Sequence, residues 1–342
     1  MAKGLFSQGV ALLTDGRTTV KDVKRALVGH KFKVAREVKS HGDWRFSGPS
    51  LVIPFRPDVN GYAAVDIVDQ PWPDAMGDPK SDPMTFGAWS MGHFGPFAHP
   101  GGLSRAVQSA RAWGVGLAIP EDPGGFVRIR LSYSFGAKPK APVLPKNYDP
   151  VAEMMFLSRV VVALLDTPGV TAYFNPNGEV LLDRDTFLRQ WDGAAKEDKI
   201  PLPLWMNVRF FNLNKTFGFM DTVGNAQLDA NDVEAVFPLA AYDPRDVAYY
   251  LRNVTHYLLD TDRPIQTGEA FDGPGESNLS WTVEVLKEGA VSPPRPVLRL
   301  YPKASRKAVR AAISAKNAKT RGPVRRRGGG PRGRRGGPRA DR

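Results

Sequence analysis

No cysteine occurs among the 342 residues, which excludes disulfides, thiolate nucleophiles and cysteine-ligated metals. Histidine is scarce, with 5 in the chain. No run approaches the ~18 apolar residues of a membrane-spanning helix, so no membrane partner is expected. The opening MAKGLFSQGVALLTDGR has one early lysine, and Ser7 and Gln8 break its apolar run. It lacks a small-residue cleavage site and reads as a first strand, not a signal peptide. The expected compartment is the cytoplasm. Also missing are a G-x-G-x-x-G turn after a strand, a P-loop, an H-E-x-x-H pair and an EF-hand loop. No cofactor and no metal is assigned.

What is present is enough apolar material for a proper core, 42% of residues, and an uneven distribution of charge. From Lys303 to Arg342 the chain holds 4 Lys and 11 Arg against 1 Asp, a net charge of +14. Residues 1–302 hold 32 basic and 34 acidic side chains, a net charge of −2. All the basic character therefore sits in a tail. Residues 321–342 contain 9 Arg, 7 Gly and 3 Pro with no aromatic residue. Such a segment cannot bury a core and is expected to be disordered. Guanidinium groups grip phosphate in a fork and stack on bases, so Arg325, Arg326, Arg327, Arg332, Arg334 and Arg335 are candidate nucleic-acid contacts. The stretch before them, KASRKAVRAAISAKNAK, has helical composition. Its sizeable apolar residues are Val309 and Ile313, which suggests that it has little to dock with.

Periodicity gives an α+β expectation. Val20, Val23 and Leu27 share a helical stripe, with Thr19 as N-cap and Asp22 completing a capping box. HKFKVAREV, SLVIPF and YAAVDIVD read as strands, and an Asn-Gly turn precedes the last. FVRIRLSYSF places Val127, Ile129, Leu131, Tyr133 and Phe135 on one face, and Arg128, Arg130, Ser132 and Ser134 on the other. VAEMMFLSRVVVALL is apolar nearly all round and predicts a buried helix. VTAYFNPNGEVLL predicts a hairpin, and Asp243-Pro244 opens a helix with Val247, Leu251, Val254 and Leu258 on one stripe. LWMNVRFFNL, FGFMDTV, SWTVEVL and RPVLRLY read as strands. The expectation is two α+β subdomains, 1–135 and 151–302, with largely antiparallel sheets. A Pro-rich linker at 136–150 joins them, and the basic tail occupies 303–342.

One stretch stands out, DQPWPDAMGDPKSDPMTFGAWSMGHFGPFAHPGG at residues 69–102, which reads as a long irregular loop. His93 and His99, with Asp74, Asp78 and Asp82, are nitrogen and oxygen ligand types, but an H-x5-H spacing in a loop fixes no ligand geometry. Trp72 and Trp89 point instead to a structural lid. The A-x-S-x-G at Ala88–Gly92 has the spacing of a nucleophile elbow, which needs a helix after the serine; Gly95-Pro96 opposes one. His256 lies off the apolar stripe of its helix and reads as half-exposed. FNPNGE and MDTVGNAQLD place Asn177, Glu179 and Asp221 near strand ends, where loops on a rigid sheet often carry function.

NGYAAVDIVDQPWPDAMGDPK, FGAWSMGHFGPFAHPGGLSRA, FVRIRLSYSFGA, YFNPNGEVL, MDTVGNAQLD and PPRPVLRLYP together resemble a bacterial family catalogued as domain of unknown function 4261. The resemblance runs from about Gln8 to Pro302 and implies no activity. It singles out Asp74, His93, His99, Asn177, Glu179 and Asp221 as candidates for one shared surface. The leading expectation is a non-enzymatic interaction protein whose tail binds nucleic acid without sequence preference. The alternative is an enzyme or metal-dependent ligand binder using the Asp74–His99 loop. No protein partner is indicated.

Overall fold

A computed structural model describes residues 3–40, 44–112, 124–135, 142–261, 263–275 and 279–320. The Arg/Gly-rich residues 321–342, their expected disorder and the six candidate arginines lie outside the described residues, as do 136–141 of the Pro-rich stretch.

Local chemistry opens the helices as expected. Helix α1 (Val20–Gly29) is capped by Thr19, whose hydroxyl accepts from the Asp22 amide. Helix α4 (Pro150–Leu164) starts with Asp149 as cap and Pro150 in the first turn, and α7 (Pro244–Asp260) repeats the device with Asp243 and Pro244. Proline lacks the amide hydrogen that the first turn would leave without a partner. The other described helices are α2 (Pro83–Ser90), α3 (Gly102–Ala112), α5 (Arg184–Lys196), α6 (Leu202–Trp205) and α8 (Arg306–Thr320).

The strands form two sheets. The first joins β1 (Gln8–Thr14), β2 (Arg36–Val38), β3 (Ser50–Arg56), β4 (Gly61–Val68), β5 (Gly125–Ser132), β6 (Val170–Asn175) and β7 (Val180–Leu182) in the order β2-β3-β4-β5-β1-β6-β7. All its pairs are antiparallel. The second joins β8 (Asn207–Asn212), β9 (Phe217–Val223), β10 (Asp232–Pro238), β11 (Ala270–Asp272), β12 (Ser280–Leu286) and β13 (Val297–Pro302) in the order β11-β12-β13-β10-β9-β8. Only β10 and β13 in this sheet are parallel. The protein is therefore α+β with two mostly antiparallel sheets.

Strands β6 and β7 follow the Pro-rich stretch yet pair into the first sheet through β1. The change of sheet falls between Leu182 and Asn207, whereas the expected partition put both strands with the second half. Proline composition marks an extended connection; it does not say which free edge the next strand finds.

One apolar core runs through both halves. It takes Leu12, Ile53, Val65 and Ile129 from the first sheet and Val233, Ala235, Trp281 and Leu300 from the second, with Met154, Leu157, Val160 and Val161 of α4 between them in sequence. Helix α4 is buried as its all-round apolarity requires. The opposite face of the first sheet is covered as well, by Trp72, Trp89, Phe94 and Ala106 packed on Leu13, Phe126 and Phe174. Every residue of β5 is consequently buried, including Arg128 and Arg130.

Three local expectations change. Of HKFKVAREV only Arg36–Val38 is strand, while Phe32 and Val34 pack on the core from the irregular approach. The 69–102 stretch is not irregular throughout, because Asp82 and Pro83 start α2 inside it. Helix α8 does dock: Val309 and Ile313, 0% and 8% exposed, pack with Phe219, Val236 and Tyr301 on the outer face of the second sheet. Two apolar residues one turn apart suffice when the receiving face is aromatic.

Candidate functional site

The aspartates of the 69–102 stretch are taken by the backbone. Asp74 accepts from Leu103 N and Ser104 N at 2.8 and 2.9 Å, and from Ser104 Oγ at 2.6 Å. It thereby caps the start of α3. Asp78 closes a turn by accepting from Lys80 N and Ser81 N. Asp82 caps α2 and pairs with Arg45. Among the described residues no group of three His, Asp or Glu side chains is placed to hold a metal ion. Ser90 ends α2 with its hydroxyl donating to Phe86 O, an arrangement unlike a nucleophile elbow. Trp72 and Trp89 are buried, at 6% and 7% exposed, edge-to-face with each other and packed on Phe94.

The β6–β7 turn is more constrained. Asn175 Oδ1 accepts from Asn177 N and Gly178 N, while its Nδ2 reaches Gln227 Oε1 and Trp205 O. A Cβ at Gly178 would stand 2.0 Å from Trp205 O, so only glycine fits. Asn177 is a clasp. Its Oδ1 accepts from Phe97 N at 3.0 Å and its Nδ2 donates to Gly9 O at 2.8 Å. It thus ties the His93–Gly101 segment to the turn and to β1.

From that turn a chain of ion pairs crosses between the sheets. Arg105 Nε donates to Glu179 Oε1 at 2.7 Å, and Arg209 Nη1 donates to Glu179 Oε2 at 3.0 Å. Arg209 also forks onto Asp221 at 3.0 and 2.5 Å. Arg295 bonds Asp221 at 2.5 Å and Asp232 at 3.0 Å, and Asp232 further accepts from Thr222 Oγ1 and Asn225 N. Three guanidiniums meet three carboxylates, so the chain is neutral. Burial opposes charge on Arg209 and Arg295, but the facing carboxylates outweigh it and raise both above the ordinary range. Every carboxylate here is held on two sides, which leaves none free to act as a base or nucleophile. His99 lies beside this chain. Burial first, then the charges of Arg105 and Arg295, lower its pKa.

Asn177, Glu179, Asp221 and His99 therefore share one neighbourhood, and its chemistry is that of a joint between sheets. Asp74 is a helix cap. His93 stands elsewhere, with Nδ1 2.9 Å from Arg130 Nη1. Among the cavities described, none is lined by more than one of the six candidates. A concavity of about 780 Å³ between α5 and α7 is bordered by Gln190, Lys199, Tyr249, Arg252 and the half-exposed His256, and by none of the six.

The family model for a domain of unknown function (DUF4261) matches residues 221–301. The matched segment begins at Asp221 and includes Asp232 and Arg295, so one end of the ion-pair chain lies inside the family region and Glu179 and Arg105 lie outside it. The strings before Asp221 that carry the wider resemblance fall outside the match. No curated protein and no solved structure matches the chain.

Asp66, Arg105, Arg128, Arg130, Arg209, Asp232 and Arg295 also pair in these clusters and are not among the sequence candidates. A usable signal existed for two of them: arginines at 128 and 130, two apart in an otherwise apolar strand, occupy one face, and a covered face holds charge only with partners.

Proposed function

We propose that the chain is a non-enzymatic binding protein that holds nucleic acid through its Arg/Gly-rich tail, without reading sequence. The observation that carries this is the separation of charge, net +14 from Lys303 onward against net −2 before it. Phosphate binding needs charge density above all, and counterion release makes it sequence-independent. The anchoring of α8 supports the reading. Val309 and Ile313 hold the helix on the second sheet, Arg306 and Arg310 pair with Glu284, and Lys303 and Lys307 remain exposed. Arg321 follows directly on Thr320, the end of that helix, so the tail is attached to the body through a docked helix. No helix among the described residues is long and apolar enough to cross a membrane.

The test compares full-length protein with a truncation lacking 321–342, on single-stranded RNA and on duplex DNA at two salt concentrations. Full-length protein binds both, and its affinity falls by roughly two orders of magnitude or more between 50 and 200 mM salt; the truncation binds neither. Equal retention by both proteins makes the body the binder. Binding by neither rejects the proposal.

A further inference from the structure

Two arginines share one carboxylate on the covered face of the first sheet. Asp66 on β4 stands in register with Arg128 on β5, and Ser50 on β3 stands in register with Asp66 on its other side. Arg130 follows Arg128 by two and shares its face. Asp66 Oδ2 accepts from Arg128 Nε at 3.1 Å and Arg130 Nη2 at 2.7 Å, and Oδ1 accepts from Ser50 Oγ at 2.5 Å. Arg128 and Arg130 are only 4% and 8% exposed. The contrast with the neutral ion-pair chain is direct, since here one positive charge is left over.

Nearby groups among the described residues do not cancel it. His93 accepts from Arg130 through Nδ1, because a guanidinium has only donors. Burial, then Arg130 and Arg128, press the His93 pKa down to about 3. The ring is neutral near pH 7 and carries its proton on Nε2, another donor. Burial would raise Asp66, but Arg130, Arg128 and Ser50 hold it at about 2, so it stays a single negative charge. Lys39, exposed at the rim, adds a second positive charge.

These groups surround a cavity of about 370 Å³, whose wall includes Trp44, Ser47, Asp66, His93, Arg128 and Arg130. Three buried donors of its wall residues, Trp44 Nε1, Arg128 Nη1 and Arg130 Nε, have no hydrogen-bond partner among the described residues. Each such donor lowers stability while it stays without a partner, more so when charged, and an uncompensated buried guanidinium adds to that cost. One kind of occupant removes both costs, an oxyanion that accepts from several donors and supplies negative charge.

We propose that this cavity binds the carboxylate or phosphate group of a small anionic molecule, with Arg128, Arg130 and Trp44 as donors and Lys39 at the entrance. Its volume falls within the range of metabolite pockets. Asp66 orients the two guanidiniums, and His93 fixes Arg130 from the other side. The site is separate from the tail, and its reading stands whether or not the tail binds nucleic acid.

The test is a titration of full-length, nitrogen-15-labelled protein at pH 7 with sodium phosphate and, separately, sodium acetate. Sodium chloride keeps ionic strength constant. The indole N–H resonance of Trp44 is assigned by its loss in Trp44→Phe. It shifts saturably with phosphate, acetate or both, whereas anion binding by the tail leaves it unmoved. A response to phosphate alone identifies a phosphoryl ligand, and a response to acetate as well identifies a carboxylate. Trp44→Phe, followed at the His93 ring, weakens binding about tenfold, as expected for one hydrogen bond to a charged group. Arg130→Lys keeps the charge, loses the fork and weakens binding in the same direction. The proposal is overturned if the Trp44 indole is static to about 100 mM of both anions, far above a millimolar dissociation constant. It is equally overturned if chloride alone reproduces the shift, or if both variants bind as wild type.

Discussion

Arg209 and Arg295 end on the same oxygen of Asp221, each at 2.5 Å. Two positive groups can share one buried carboxylate because each has a second acid, Glu179 for Arg209 and Asp232 for Arg295. Arg105 on α3 also reaches Glu179, so the chain links the element after the Trp/Pro-rich stretch to the second sheet. Removing its middle member leaves two buried guanidiniums each short of charge. Asp221→Asn is expected to destabilise the protein by about 3–5 kcal/mol, read as a lower urea midpoint. An unchanged midpoint would mean that water enters and compensates both arginines.

The lid over the first sheet has a similar test. Trp72 packs edge-to-face on Trp89, Phe94, Phe126 and Phe174, with centroids 5.1 to 6.4 Å apart. Trp72→Ala removes the ring common to all four contacts and is expected to cost about 3–5 kcal/mol, measured by thermal or urea unfolding. Wild-type melting combined with loss of anion binding would instead make the stretch a functional loop.

Glu153 predicts a pH effect. It is fully buried on α4, accepts from Ser7 Oγ at 3.0 Å through Oε1, and has no partner on Oε2 among the described residues. Burial raises its pKa from 4.5 to about 7, with Tyr133, Lys3 and Ser7 opposing. The native state therefore holds this proton where the unfolded state has lost it. Its contribution to stability is full below pH 4.5 and is lost as pH rises through about 7. His93, lowered to about 3, runs the other way and gains stability as pH rises toward 6.5. The difference between wild type and Glu153→Gln isolates the carboxyl. Relative to the variant, wild type should lose on the order of 3 kcal/mol between pH 4.5 and 7. A flat difference across that window would refute the burial argument.

Local rules made the helix starts legible, because Thr19 with Asp22, Asp149 with Pro150, and Asp243 with Pro244 act within a few residues. Sheet partnership was not legible. Placing β6 beside β1 is a long-range choice, and no composition change near 136–150 announces it. The turn at Asn175–Glu179 was visible through its Asn and Gly, but its role was not, since the partners of Glu179 sit 74 residues before it and 30 after it. The arginines escaped for the same reason. Arg209 and Arg295 look like surface charges until Asp221 and Asp232 fold against them. Arg128 and Arg130 look like the wet face of a half-exposed strand until Trp44 and Phe94 pack on the first and Phe6 on the second.

Helix α8 separates two truncations that composition alone would treat alike. Val309 is fully buried and Ile313 is 8% exposed, both against Phe219, Val236 and Tyr301. Arg310 and Arg306 add contacts to Glu284, but these arginines are more than half exposed and contribute little. The docking is therefore mainly apolar. Ile313→Ala, at a site not wholly closed to water, should cost roughly 2 kcal/mol, near the low end for such a deletion. Removing 321–342 takes away none of these contacts and should leave the melting temperature unchanged. Removing 303–342 uncovers the aromatic face of the second sheet, and should lower the melting temperature and expose surface that binds a hydrophobic dye. The measurement is a thermal melt of the three truncation states, full-length, 1–320 and 1–302, at one ionic strength. If 1–302 melts with full-length protein, α8 does not hold the tail against the second sheet.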